Sequence, residues 1–144
     1  MFDQDADVRL SAWASHRAHL EHAPDPVQDV WDFWQHAPFV PVNPQVDPYF
    51  QSSWPTPWEI IVRNQYDDFT KALMIAWTLK LTSKFAQSCI QIHTMIDNDR
   101  NRAYNIIVIE DRWALNYKDN GPVSLKDLPS SFLLENLIEV STPR

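Results

Sequence analysis

Cys89 and His93 stand four residues apart in SCIQIHTMID (88–97). A thiol becomes a covalent nucleophile when a base lies within hydrogen-bond reach and a third group orients that base. Here Ile90, Ile92, Thr94 and Ile96 alternate with Cys89, Gln91, His93 and Met95, which marks a strand. Same-face residues four apart on a strand lie about 13 Å apart along it. The pair is therefore expected to be out of contact, with Cys89 packing as a small apolar side chain and His93 incidental.

His16, His19 and His22 recur every three residues. Neighbours at i and i+3 share a helix face, so two of these imidazoles could hold a transition metal. Glu21, the carboxylate nearest them, faces elsewhere, and the expectation is a solvated helix face with no metal. A His-rich metal-binding module remains as an alternative. Asp67 and Asp68 have the right type for acid and base. Adjacent acids just before a helical run, however, are expected to serve as cap and dipole partner.

Composition removes whole classes of chemistry. The 144 residues contain a single glycine, Gly121. Walker loops and dinucleotide fingerprints need several glycines for backbone to approach phosphate, so both are excluded. Net charge is −7 and no run of Lys and Arg occurs; DNDRNR (97–102) is mixed in sign and reads as a turn. Nucleic acid is not an expected partner. One cysteine permits neither an intrachain disulfide nor a multi-cysteine zinc site, which fits a chain made in a reducing compartment. The acidic start MFDQDADVRL lacks a signal-peptide core, and the longest apolar run, ALMIAW (72–77), is too short to span a membrane. The expectation is a soluble protein with no membrane partner and no small-molecule cofactor.

The elements that must position these residues follow from periodicity. Leu10, Trp13, Ala14, Arg17 and Leu20 predict a first helix over 7–22, closed before Pro24. Asp25 as cap and Pro26 as first helical residue open a second over 24–38, with Val27, Val30, Trp31 and Trp34 as its apolar stripe. In SSWPTPWEII, Thr56, Pro57 and Glu59 have the spacing of a capping box, predicting a short helix over 57–64. DDFTKALMIAWTLKLT (67–82) is apolar on most sides and predicts a central, buried helix. Strands follow at 88–97, 103–110 and 113–118. Ser124 can cap a turn at LKDL, and 132–140 reads as a last helical turn or an edge strand. Helices first and strands after argue an α+β fold: N-terminal helices and a Pro-rich connector, then one buried helix on a three- to four-stranded antiparallel meander. One domain is expected, with a helical arm (1–38), a connector (39–57) and an α+β core (58–144).

Six of the eleven prolines fall within 37–57, among aromatic and aliphatic residues too apolar for a solvated linker. Trp31, Trp34, Tyr49, Phe50, Trp54 and Trp58 exceed what a connector needs. They are the expected partner-binding surface, for a protein partner or for self-association.

One buried helix followed by an antiparallel meander, carried by QYDDFTKALMIAWTLKL, IQIHTMID, AYNIIVIE and RWALNYKD (about 65–119), resembles the core of the transglutaminase-like (papain-like) superfamily. In that superfamily a Cys opens the helix, a His begins the next-but-one strand, and an Asp or Asn ends the following strand. The resemblance implies that the matching positions are Asp67 (with Tyr66 and Asp68 beside it), Tyr104 or Asn105, and Asn116 or Tyr117. No Cys or His stands at any of them, which implies a degenerate triad. The whole chain, with SWPTPWEII and NLIEVSTPR, also resembles uncharacterised proteins of tailed bacteriophages, including marine ones. That resemblance implies a virion or assembly component, found in the host cytoplasm or the virion. The leading expectation is thus a non-enzymatic structural or interaction protein working through protein–protein contacts. The alternative is a cysteine-independent or degenerate transglutaminase/papain-like enzyme.

Overall fold

Short-range capping chemistry sets where the helices begin. In the computed structural model, which describes residues 1–118 and 121–143, α1 spans Ala6–Leu20, α2 Pro26–Trp34, α3 Pro57–Arg63 and α4 Asp68–Lys80. The Asp25 carboxylate accepts from the Gln28 N–H, with Pro26 opening α2. At α3 the capping box is complete. The Thr56 hydroxyl accepts from the Glu59 N–H at 3.2 Å, and the Glu59 carboxylate accepts from the Thr56 N–H at 3.1 Å. Asn64 closes α3 in a left-handed conformation, φ +58. Of the two adjacent acids, Asp67 is the cap of α4, accepting from the Thr70 N–H at 2.7 Å.

Five strands follow: β1 Ile90–Asp97, β2 Arg102–Ile109, β3 Trp113–Lys118, β4 Gly121–Ser124 and β5 Leu133–Glu139. They form one antiparallel sheet in the order β4-β3-β2-β1-β5. The fold is α+β as expected, with five strands rather than three to four. The meander β1–β2–β3 matches the short turns between its strands. Segment 132–140 is an edge strand, and β5 pairs with β1 rather than with β4, its neighbour in sequence. Gly121, the single glycine, opens β4 at φ +117, where an added Cβ would lie 2.6 Å from Oε1 of Gln28.

Alternation along the strands creates two apolar faces. Ile90, Ile92, Ile107, Ile109, Leu115 and Ile138 pack with α4 and with Trp13, Trp34, Ile60 and Ile61 from the other helices. Tyr104, Ile106, Val108 and Ala114 form a second cluster with Phe132, flanked by Leu125 and Leu128. Helix α4 has almost no solvated side, as its sequence predicts. One of its fully buried polar groups is the Thr78 hydroxyl. It accepts from the indole N–H of Trp13 at 3.0 Å and of Trp34 at 3.1 Å, and donates to the Met74 carbonyl at 2.6 Å. All the hydrogen-bonding capacity of that hydroxyl is used. Two tryptophans distant in sequence are thereby fixed against one residue of the central helix. The side of α1 facing this core carries Trp13 and Leu20, whereas Ala14, expected on the same side, is exposed.

The connector is ordered against the body of the domain. Val40 N–H donates to the Tyr66 carbonyl and Tyr66 N–H donates to the Pro38 carbonyl, a parallel bridge just before α4. Asn43 N–H donates to the second oxygen of Asp67 at 2.9 Å. Among the described residues, no helix is long and apolar enough to cross a membrane.

Candidate functional site

The first turn of α4 faces β2 and β3 across a small polar cluster. Asp67 caps the helix, so its successor Asp68 is the first helical residue and projects toward the sheet. Both oxygens of Asp68 are occupied. Oδ2 accepts from the backbone N–H of Asn105 at 3.2 Å and from its side-chain Nδ2 at 3.0 Å. Oδ1 accepts from Nδ2 of Asn116 at 3.1 Å, and the same Nδ2 donates to the Asn105 carbonyl at 2.9 Å. The Asn105 side chain is fixed from its other end, where its Oδ1 accepts from the Thr94 hydroxyl at 2.9 Å. Three segments far apart in sequence thus converge on one carboxylate.

Strand geometry explains which residues converge. Tyr104 belongs to the outer cluster with Ile106 and Val108, so Asn105 shares the helix-facing side with Ile107 and Ile109. On β3, Leu115 faces the helix and Ala114 faces away, so strict alternation would turn Asn116 outward. Asn116 instead adopts φ +71, and the β3–β4 register shifts there. The left-handed conformation resets the alternation and brings Asn116 to Asp68 beside Leu115. Asn tolerates this conformation better than most residues.

A cleft of about 270 Å³ opens beside this cluster, lined by Asp68 and Asn116 together with Trp31, Lys71, Arg102 and Tyr104. The Lys71 ammonium lies over the Trp31 ring, 5.2 Å from its centroid, and the Arg102 guanidinium over the Tyr104 ring at 4.6 Å. The ion pairs among the described residues are Met1–Asp3, His19–Asp29, Arg63–Glu59 and Arg100–Asp97, and neither cleft cation joins one.

The positions expected from sequence divide accordingly. Asn116 is in the cluster. Asp67 is not, because its two oxygens serve the α4 cap and Asn43. The Tyr104 ring lies in the outer aromatic group, stacked on Phe132 at 5.3 Å and edge-on to Tyr117 at 5.4 Å. Asp68 and Asn105, the alternatives at those two positions, occupy the cluster instead. A polar residue on an otherwise apolar strand face, as Asn105 is among Ile107 and Ile109, was the signal available in the sequence.

The six aromatics of the expected partner surface also separate. Trp31 and Trp34 are 5% and 0% exposed; the α2 stripe faces α4, the Trp34 N–H is held by Thr78, and Trp31 lines the cleft. Trp54 is half-buried against Phe69 and Trp77, and its N–H donates to the Asp47 carbonyl. Trp58 packs edge-on against Trp13 and is partly exposed. Tyr49 and Phe50 are 64% and 60% exposed, and the Tyr49 hydroxyl donates to Glu135 on β5.

The remaining candidates are not assembled into a site. Cys89 lies just before β1, with its N–H donating to Glu110. Burial, reinforced by Glu139, Asp111 and Glu110, pushes its thiol up, the opposite of nucleophile activation. The ring partner of His93 is Gln91 at 2.9 Å. His16 stacks on Phe33, His19 pairs with Asp29, and Glu21 accepts from Ser83. Among the described residues, no group of three or more His, Cys, Asp or Glu side chains is placed to hold a metal ion.

No protein-family model matches the chain, and no curated protein matches it. Among solved structures, it is similar to calcium-bound LapG of Legionella pneumophila, with a TM-score of 0.68 at 18% identity over 94% of this chain and 77% of LapG. The likeness is one of fold.

Proposed function

We propose that this chain is a degenerate transglutaminase-like domain that uses the cleft at the start of its central helix to bind a polypeptide segment. The observation that carries this reading is the Asp68–Asn105–Asn116 cluster. Its three residues stand on the helix start, the next-but-one strand and the strand after, the places where the superfamily carries nucleophile, base and orienter. The chemistry has changed. A carboxylate can act as a nucleophile when an acid or base assists it. Here both partners are amides, which do not titrate, and both carboxylate oxygens already accept N–H donors. The arrangement serves as a rigid wall joining helix to sheet, while the cleft beside it remains open.

Two experiments test the reading. Fluorogenic peptide, ester and amine-transfer substrates should show no turnover with the purified protein. Turnover abolished by Asp68→Asn would establish a carboxylate-based enzyme and overturn the reading. Turnover abolished by Cys89→Ser would do the same for a thiol. Selection from a random peptide display library should then yield binders that are lost in Ala103→Arg, which fills the cleft from β2 while leaving the melting temperature intact. Binders insensitive to that change would place recognition elsewhere.

A second reading rests on exposed apolar side chains of the connector. Phe39, Val42, Tyr49 and Phe50 stand largely in solvent. They favour protein–protein contacts through this segment, in keeping with the virion or assembly role that the phage resemblance implies.

A further inference from the structure

We infer that the cleft receives a carboxylate of its polypeptide ligand, from an acidic side chain or a chain end, between Lys71 and Arg102; this rests on the cleft-binding reading above. Overall charge argues the opposite at first sight, since 19 Asp and Glu outnumber 12 Lys and Arg. Among the described residues, Arg63 and Arg100 are the Lys and Arg side chains in ion pairs, so an unpaired cation is the common case here. What distinguishes Lys71 and Arg102, which have no acid within ion-pair distance among the described residues, is that both line one cleft.

Asp68, the acid among the described lining residues, forms no ion pair with either cation. Asp68 directs both oxygens into the wall, where three N–H groups from Asn105 and Asn116 meet them. Most of its hydrogen-bonding capacity is taken up by the wall, and two cations line the cleft beside it. Each cation rests over an aromatic ring, Lys71 over Trp31 and Arg102 over Tyr104. Trp31 and Tyr104 are themselves buried, so these platforms are fixed. A cation held in this way loses less side-chain freedom when a ligand binds. Arg presents a planar fork that matches a carboxylate, and Lys adds a point charge with three donors. The partial enclosure of the cleft strengthens both interactions relative to open solvent.

The test is a titration of the ¹⁵N-labelled chain with three short probes. They are acetyl-Ala-Glu-Ala-amide for a side-chain carboxylate, acetyl-Ala-Ala-Ala free acid for a chain end, and acetyl-Ala-Gln-Ala-amide as the neutral control. One or both acidic probes should shift the Arg102 side-chain Nε–H and backbone amides at 68–71 and 102–105. Affinity should fall at least fivefold in Arg102→Gln and in Lys71→Gln, and should fall as NaCl is raised. Whichever acidic probe binds identifies the source of the carboxylate. Equal binding of the neutral probe at the same amides would overturn the carboxylate inference while leaving cleft binding intact. Shifts confined to another surface, no shifts with either acidic probe, or wild-type affinity in both variants would also overturn it. Loss of the cleft-binding reading itself is read separately, from display binders that survive Ala103→Arg.

Discussion

Nδ2 of Asn116 donates to Oδ1 of Asp68 at 3.1 Å, joining residues 48 positions apart in the chain. The contact exists because Asn116 leaves strand geometry at φ +71. Replacing it separates the side chain from the backbone. Asn116→Gly and Asn116→Ala both lose the amide, but only alanine resists the left-handed conformation, by about 1 kcal/mol. Chemical denaturation should rank wild type above Asn116→Gly and Asn116→Gly above Asn116→Ala. The reverse order of the two variants would show that the conformation at 116 is not required.

Thr78→Val keeps the side-chain shape and removes the hydroxyl shared by Trp13 and Trp34. Two buried indole N–H groups are then left without an acceptor, at about 1–3 kcal/mol each. A loss of about 3 kcal/mol is expected, and Thr78→Ser should recover most of it. Denaturant titration followed by tryptophan fluorescence measures both. A loss below about 0.5 kcal/mol in Thr78→Val would mean the indoles find other partners.

The capping box at α3 gives a local counterpart. Thr56→Ala should cost about 1 kcal/mol through loss of the Glu59 N–H acceptor. Pro57→Ala should cost less, because proline there only pre-sets the first helical residue. Thermal melts of the two variants decide the order.

His16 provides a pH signature. Its ring stacks on Phe33 at 4.1 Å, and its Nε2 is buried without a hydrogen-bond partner among the described residues. Burial first, and then His19, lower its pKa from 6.5 to about 4, against a smaller opposing pull from Asp29. The unfolded chain therefore takes up this proton at a higher pH than the folded one. The stability conferred by neutral His16 is complete above pH 6.5 and is lost as pH falls toward 4. His16→Phe retains the ring stack and removes the titration. Its melting temperature, measured from pH 7 to 4.5, should gain on wild type as pH falls. A constant difference would exclude His16 as a source of acid sensitivity.

Which parts of this structure were legible in the sequence follows from the range of the forces involved. Helix starts at Asp25, Thr56 and Asp67 depend on groups within three residues of each other, and the sequence displays that chemistry directly. The all-round apolar character of α4 likewise announced its burial, and short polar turns between β1, β2 and β3 announced their meander. Alternation along β2 divided Tyr104 from Asn105 but could not say which faced the helix, because both faces of the sheet are apolar. Only packing of α4 on one of those faces selected Asn105. A strict period of two would also turn Asn116 outward, but a left-handed residue within the strand resets it. The burial of Trp31 and Trp34, and the pairing of β5 with β1, depend in the same way on surfaces that distant segments provide. Local hydrogen bonding thus fixed the elements, and long-range packing decided which of their side chains meet at Asp68.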